Sequence, residues 1–312
     1  MSFRIENGDH IAKEVRRIAR KEVEGAIGDL HRLDHEDPET VHELRKRCKK
    51  VRGLLRLVRP AIGDIYAMEN AHFRDAARSL SPLRDAHTAL VAYDLLLDHY
   101  RGEVRRAPLA AVRRHLVQVE ERTKHDTDDL EDRYAQVRDE MEAARRRIDD
   151  WPITDLGLET WRAGFERTYR RARRAMSAAY DDPTPEHFHE WRKAAKYHGY
   201  HVRLLRPLWD NQLHARRDSA DELSDLLGEY HDVVVLQSRL SASSGLGAKA
   251  LRRVQRLIDR RREEIEARAR PVGMRLFAER PRRIAARHSR YWSAWNEQQR
   301  CDASVDRGQS AA

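Results

Sequence analysis

Basic residues recur at helical spacing in one short stretch of this chain. His42, Arg45, Lys46, Lys49, Gly53 and Arg56 fall within a narrow arc when residues are turned by 100° each. On a helix that arc rises by about 21 Å, so it forms a track rather than a spot. No Asp or Glu occurs between Arg45 and Arg59. Uncompensated like charges three or four positions apart cost a helix a few tenths of a kcal/mol per pair. Such a stripe is either a solvated face or a seat for an anion. Arg forks two oxygens of a phosphate and Lys offers a compact mobile charge, so the mixture suits a flexible polyanion with repeating charge.

The stripe is written twice. Moving 147 positions along places His189 on His42, Glu190 on Glu43, Arg192 on Arg45, Lys193 on Lys46, Lys196 on Lys49 and Arg203 on Arg56. The same step carries Pro60 to Pro207, Leu80 to Leu227 and Asp85 to Asp232 without a gap. So many identities in one register mark a duplication. Exposed faces of duplicated segments are free to drift, so a stripe repeated in register favours binding over simple solvation. Other cations lie where they could join it: Arg16, Arg17 and Arg20 early in the chain, and Tyr169, Arg170, Arg173 and Arg174 in the second half. Arg84 follows Pro82 at a helix start, where free N–H groups also favour an anion.

The elements that must carry these residues read as helices. Val41, Leu44, Cys48, Val51, Leu55 and Val58 draw one apolar stripe, and Phe188, Trp191, Ala195, Val202 and Leu205 draw it again. Asp37 before Pro38 predicts an N-cap, and Pro60 and Pro207 predict the stops. The periodicity predicts helices over 9–33, 38–59, 62–100 (broken at Ser81-Pro82), 104–148, 154–180, 184–208, 211–243, 246–279 and 281–299. No alternating strand pattern occurs. The predicted fold is all-α: two tandem four-helix bundles related by an internal pseudo-twofold repeat, with an extra C-terminal helix. The halves are expected at 1–150 and 151–300, with a disordered polar tail over 301–312.

Bulk composition agrees. Lys and Arg outnumber Asp and Glu by 61 to 52, a formal charge of +9 that favours a polyanionic partner without naming one. A hydrophobic share of 40% is enough for a core, so disorder of the whole chain is excluded. Cys48 and Cys301 imply no disulfide framework. No secretory leader and no apolar run of membrane-spanning length occurs, and the cytoplasm is the expected setting.

These motifs resemble the CHAD family, the conserved histidine α-helical domain. The residues that carry the resemblance are Val41-His-Glu-Leu-Arg-Lys with Lys49, Arg52 and Arg56, then Leu83-Arg-Asp-Ala, and Phe188-His-Glu-Trp-Arg-Lys with Lys196 and Arg203. Phe165-Glu-Arg-Thr-Tyr-Arg-Arg-Ala-Arg and the Arg275-to-Trp292 ending fit as well. The resemblance implies a central basic groove or pore that holds inorganic polyphosphate, and association with polyphosphate granules; no cofactor and no catalysis are expected of the chain. The chain departs from the pattern at Gly199, where the first copy has Arg52, and at His231, where it has Arg84. That makes the second wall of the groove either less cationic or titratable near neutral pH.

Four rivals remain. Histidine pairs at 31/35, 187/189 and 198/201 invite a metal, but they lack cysteine partners and a zinc spacing. A phosphohistidine relay through His42 or His189, or a metal-dependent phosphohydrolase using Asp85 and Asp232, is chemically open. Nucleic acid presents the same phosphate charge, although the stripe offers few aromatics for base stacking.

Overall fold

A computed structural model describes residues 3–31, 38–125, 130–153, 157–242 and 246–309. Among them the chain is helical throughout, with no strand. The first half contributes α1 (Ile11–His31), α2 (Pro38–Leu57), the single turn α3 (Arg59–Ile62), α4 (Ile65–Ser79), α5 (Ser81–His99), α6 (Ala110–His125) and α7 (Leu130–Ile148). The second contributes α8 (Leu158–Asp181), α9 (Pro185–Leu204), α10 (Asp210–Ser241), α11 (Ala248–Leu276) and α12 (Pro281–Gln309). None of these helices is long and apolar enough to cross a membrane.

The two site-bearing helices form as their sequences dictate. Val41, Leu44, Cys48, Val51 and Leu55 are buried along α2, and Phe188, Trp191 and Ala195 are buried along α9. On α9, Thr184 caps the N-terminus by accepting from the His187 N–H at 3.2 Å, with Pro185 in the first turn. The corresponding Asp37 lies outside the described residues. After α2 the chain turns at Gly63, whose φ of +61° favours glycine. The break before α5 falls at Leu80, with Pro82 in that helix's first turn.

The structure departs from the sequence reading in three places. The expected helix over 104–148 is two helices. α6 packs on α5 whereas α7 packs on α1 and α4, so the chain passes from one core to another between them. The segment from Cys301, expected to be a disordered tail, continues α12 to Gln309; it holds no proline, and its glycine comes only at position 308. Finally, the larger core does not divide at the repeat boundary. Buried side chains of α1, α2, α4 and α7 form one cluster with those of α8, α9 and α12. A smaller cluster joins α5 and α6 of the first half to α10 and α11 of the second.

Two close approaches hold the halves together. An added Cβ on Gly164 would fall inside the Leu57 carbonyl oxygen and 2.6 Å from that of Arg56, so glycine brings α8 against the end of α2. At Gly53 the Tyr200 ring lies 3.0 Å from where a Cβ would sit, and His201 Nε2 donates to the Gly53 carbonyl at 2.9 Å. Gly53 and Tyr200 are 147 positions apart, so α2 and α9 meet at equivalent positions of the repeat.

Candidate functional site

Beside that meeting point the two basic stripes converge on a cavity of about 290 Å³. Helix α2 supplies Arg45, Lys49, Arg52 and Arg56; α9 supplies His189, Arg192, Lys193, Lys196, Tyr197 and Tyr200. Arg74, Ala77 and Arg78 come from α4, Arg171 from α8, and His231 from α10. Ten of the lining residues are Lys or Arg, and none is Asp or Glu. Cations gathered in a concave, partly desolvated space concentrate their field on whatever anion enters.

The charge state records the crowding. Burial holds Lys49 well below its ordinary pKa, and the charges of Lys196, Arg45 and Arg192 push the same way. Burial also lowers Arg45, against the opposing field of Asp85, and lowers Arg52. His189 and His231 approach with ring centroids 4.9 Å apart. Burial, then Arg192, His189 and Lys49, drives His231 down to about 3, and burial with Lys193 and Arg192 lowers His189. At neutral pH His231 is therefore a neutral liner, and the wall that carries it is less cationic than Arg84 would make it.

Several contacts fix the cations in place. Arg45 donates to the Ala77 carbonyl at 2.8 Å and Arg52 Nε to Asn70 Oδ1 at 3.2 Å. Arg56 lies over the Tyr197 ring at 4.3 Å, and Arg52 over the same ring at 5.8 Å. The Arg56 Nε and the Tyr200 hydroxyl are buried with no hydrogen-bond partner among the described residues. Carboxylates outside the lining pair with several cations of the lining and the stripes: Glu43 with Lys46 at 2.7 Å, Glu190 with Lys193 and, at 2.9 Å, with Arg171, and Asp75 with Arg74 at 2.8 Å.

Other candidates stand elsewhere. Arg203 pairs with Asp221 at 2.6 Å in a separate recess with Arg4, Arg206 and Arg217, where acidic neighbours match the arginines. Tyr169 is fully buried and donates its hydroxyl to the Glu279 carbonyl at 3.1 Å, which Arg173 also reaches at 3.1 Å. Arg16 donates to the carbonyls of Trp151 and Ile153, and Arg20 pairs with Asp149, so both secure the link between the halves. His42 lines a second cavity of about 880 Å³, which shares Arg192 and Lys196 with the first. Arg84 stands in the first turn of α5, and its side chain falls outside the described residues.

Arg74, Arg78, Arg171 and Tyr197 line the cavity although the sequence reading passed over them. The signal was present for two of them. Arg74 and Arg78 are one turn apart, yet the second copy has Asp221 and Asp225 there, so comparing the copies hides them.

The comparisons with known proteins agree with this architecture. The crystal structure of the CHAD domain from the plant Ricinus communis superposes with a TM-score of 0.58 at 15% identity, over 86% of this chain and 88% of that one. At that identity the likeness is one of fold. No curated protein matches the chain significantly. The CHAD domain family model matches residues 11–241, which include both basic stripes and every residue that lines the acid-free cavity. The chain belongs to the CHAD domain family.

Proposed function

We propose that this protein binds long-chain inorganic polyphosphate, without chemical turnover, in the cavity between α2, α4 and α9. The observation that carries the proposal is the lining: ten Lys and Arg side chains with no carboxylate among them. In the free protein burial, and then the neighbouring cations, disfavour the charge on Lys49, and a polyanion relieves both. The family's association with polyphosphate supports the same reading. Asp85 acts electrostatically on Arg45, which suits a residue that orients a cation rather than one that activates water. Granule association would follow from binding polyphosphate in that form.

Competition at fixed salt tests the partner. Long polyphosphate should displace a labelled polyphosphate at concentrations well below those required of single-stranded DNA or RNA with equal phosphate content. The cavity's aromatics favour that order: Tyr200 packs on Gly53 and Tyr197 is covered by Arg56, which leaves neither ring free to stack on a base. Equal displacement by all three would replace the proposal with general phosphate-backbone binding.

A further inference from the structure

The two cavities beside the meeting of α2 and α9 are related in part by the repeat. Arg45, Lys49, Ala77, Arg78 and His189 line the smaller one, and stepping 147 positions (backwards for His189) gives Arg192, Lys196, Ser224, Asp225 and His42, which all line the larger. The histidines of the smaller, His189 and His231, come from the second half, and those of the larger, His42, His87 and His99, from the first. Five of the fifteen lining positions of the smaller recess thus recur in the larger, while Arg56 and Arg74 have their counterparts, Arg203 and Asp221, in the separate recess with Arg4.

The chemistry of the two recesses has diverged. Where the smaller has Arg78, the larger has Asp225, and both residues are exposed. Glu229 stands where the first copy has Pro82, and it pairs with Arg261 at 2.5 Å. Asp232 also lines the larger recess, whereas its counterpart Asp85 is absent from the lining of the smaller. Val91 and Leu95 of α5, both exposed, add an apolar wall that offers no donor to a phosphate. Arg192, Lys196 and Arg261 in its lining stand against four carboxylates, Asp98, Asp225, Glu229 and Asp232, with Arg261 already paired to Glu229, so the larger volume is the less suited to an anion.

We infer that the polyanion occupies only the smaller recess, and that Asp225 with Glu229 closes the twin to it, so that a duplicated scaffold presents a single binding face. The inference rests on the polyphosphate reading. A phosphate chain that passed Arg192 and Lys196 would meet a lining in which carboxylates outnumber Lys and Arg by four to three, and like charges there oppose its entry. Polyphosphate then lies across one side of the protein instead of threading between both recesses.

Calorimetric titration of the intact chain with tripolyphosphate, a short polyphosphate, tests this. The native chain should bind a single anion. Asp225→Arg combined with Glu229→Gln should bind a second, and Arg78→Asp, the reverse exchange at an equally exposed position, should bind its single anion more weakly than the native chain. Two anions on the native chain, unchanged stoichiometry in the double variant, or full binding by Arg78→Asp would each overturn the inference. A native chain that bound neither tripolyphosphate nor long polyphosphate would end the underlying functional reading with it. Native binding with an unresponsive double variant would end this inference alone.

Discussion

Replacing Lys49 and Lys196 together by methionine should weaken binding and strengthen the fold. Methionine keeps the length of the side chain and removes the charge. In the free protein the two ammonium groups stand on packed helices, whose axes typically lie about 8–10 Å apart. Two unit charges about 8 Å apart, at an effective dielectric near 20, repel by about 2 kcal/mol. Partial solvent access reduces this to about 1 kcal/mol. The melting temperature should therefore rise by about 2–4 °C. The pH dependence has a definite sign. Because folding lowers the Lys49 pKa below 10.5, the unfolded chain holds the proton more tightly, and native stability climbs as the pH rises between the lowered value and 10.5. The double variant should flatten that climb. Binding moves the other way. Two charge-assisted contacts at about 1.5 kcal/mol each give roughly 100-fold weaker polyphosphate binding. The logarithmic salt slope should become shallower by about 1.4 if the polymer behaves as a single-stranded polyanion. Fluorescence anisotropy over a salt series and thermal melts followed by circular dichroism give both readings. Unchanged affinity and slope would move the site elsewhere. A lower melting temperature would show that the lysines serve the fold and not a ligand.

Three further outcomes are expected. Gly164→Ala drives a methyl group into the Leu57 carbonyl, and should cost about 3 kcal/mol and roughly 10 °C in a thermal melt. His201 and His288, each pushed down to about 3 mainly by burial, bind protons only in the unfolded chain between pH 6.5 and 3. Stability is then complete above pH 6.5 and falls as the pH drops towards 3; His288→Leu should shift the acid-unfolding midpoint to lower pH, as followed by far-ultraviolet circular dichroism. Tyr197→Leu removes the ring that holds Arg56 and Arg52, and should weaken polyphosphate binding about 3-fold in the same anisotropy assay with little change in melting temperature.

The sequence was informative wherever a pattern repeated. The apolar stripes on α2 and α9 carry the helical period, and the 147-residue register marks Lys49 and Lys196 as a pair. It was less informative wherever an answer depended on what stands opposite. Arg203 matches Arg56 in register, yet Asp221 claims it, a partner supplied by another helix. Tyr169 sits in a basic stretch, yet its hydroxyl meets the Glu279 carbonyl 110 residues away. Charge is visible in a sequence, but the neighbour that neutralises it is not. Arg74 and Arg78 escaped for the opposite reason, because agreement between the copies was the guide and these positions differ in sign.

The pairing of Gly53 with Tyr200 bears on how this chain assembles. Equivalent positions that touch are the signature of a self-complementary contact, in which a half-length ancestor would have met a copy of itself. Here one partner has become a knob and the other a hole. Two first halves would set glycine against glycine and leave a void, and two second halves would force two phenol rings into one space. At this contact each half carries the shape that the other, and not a copy of itself, accepts.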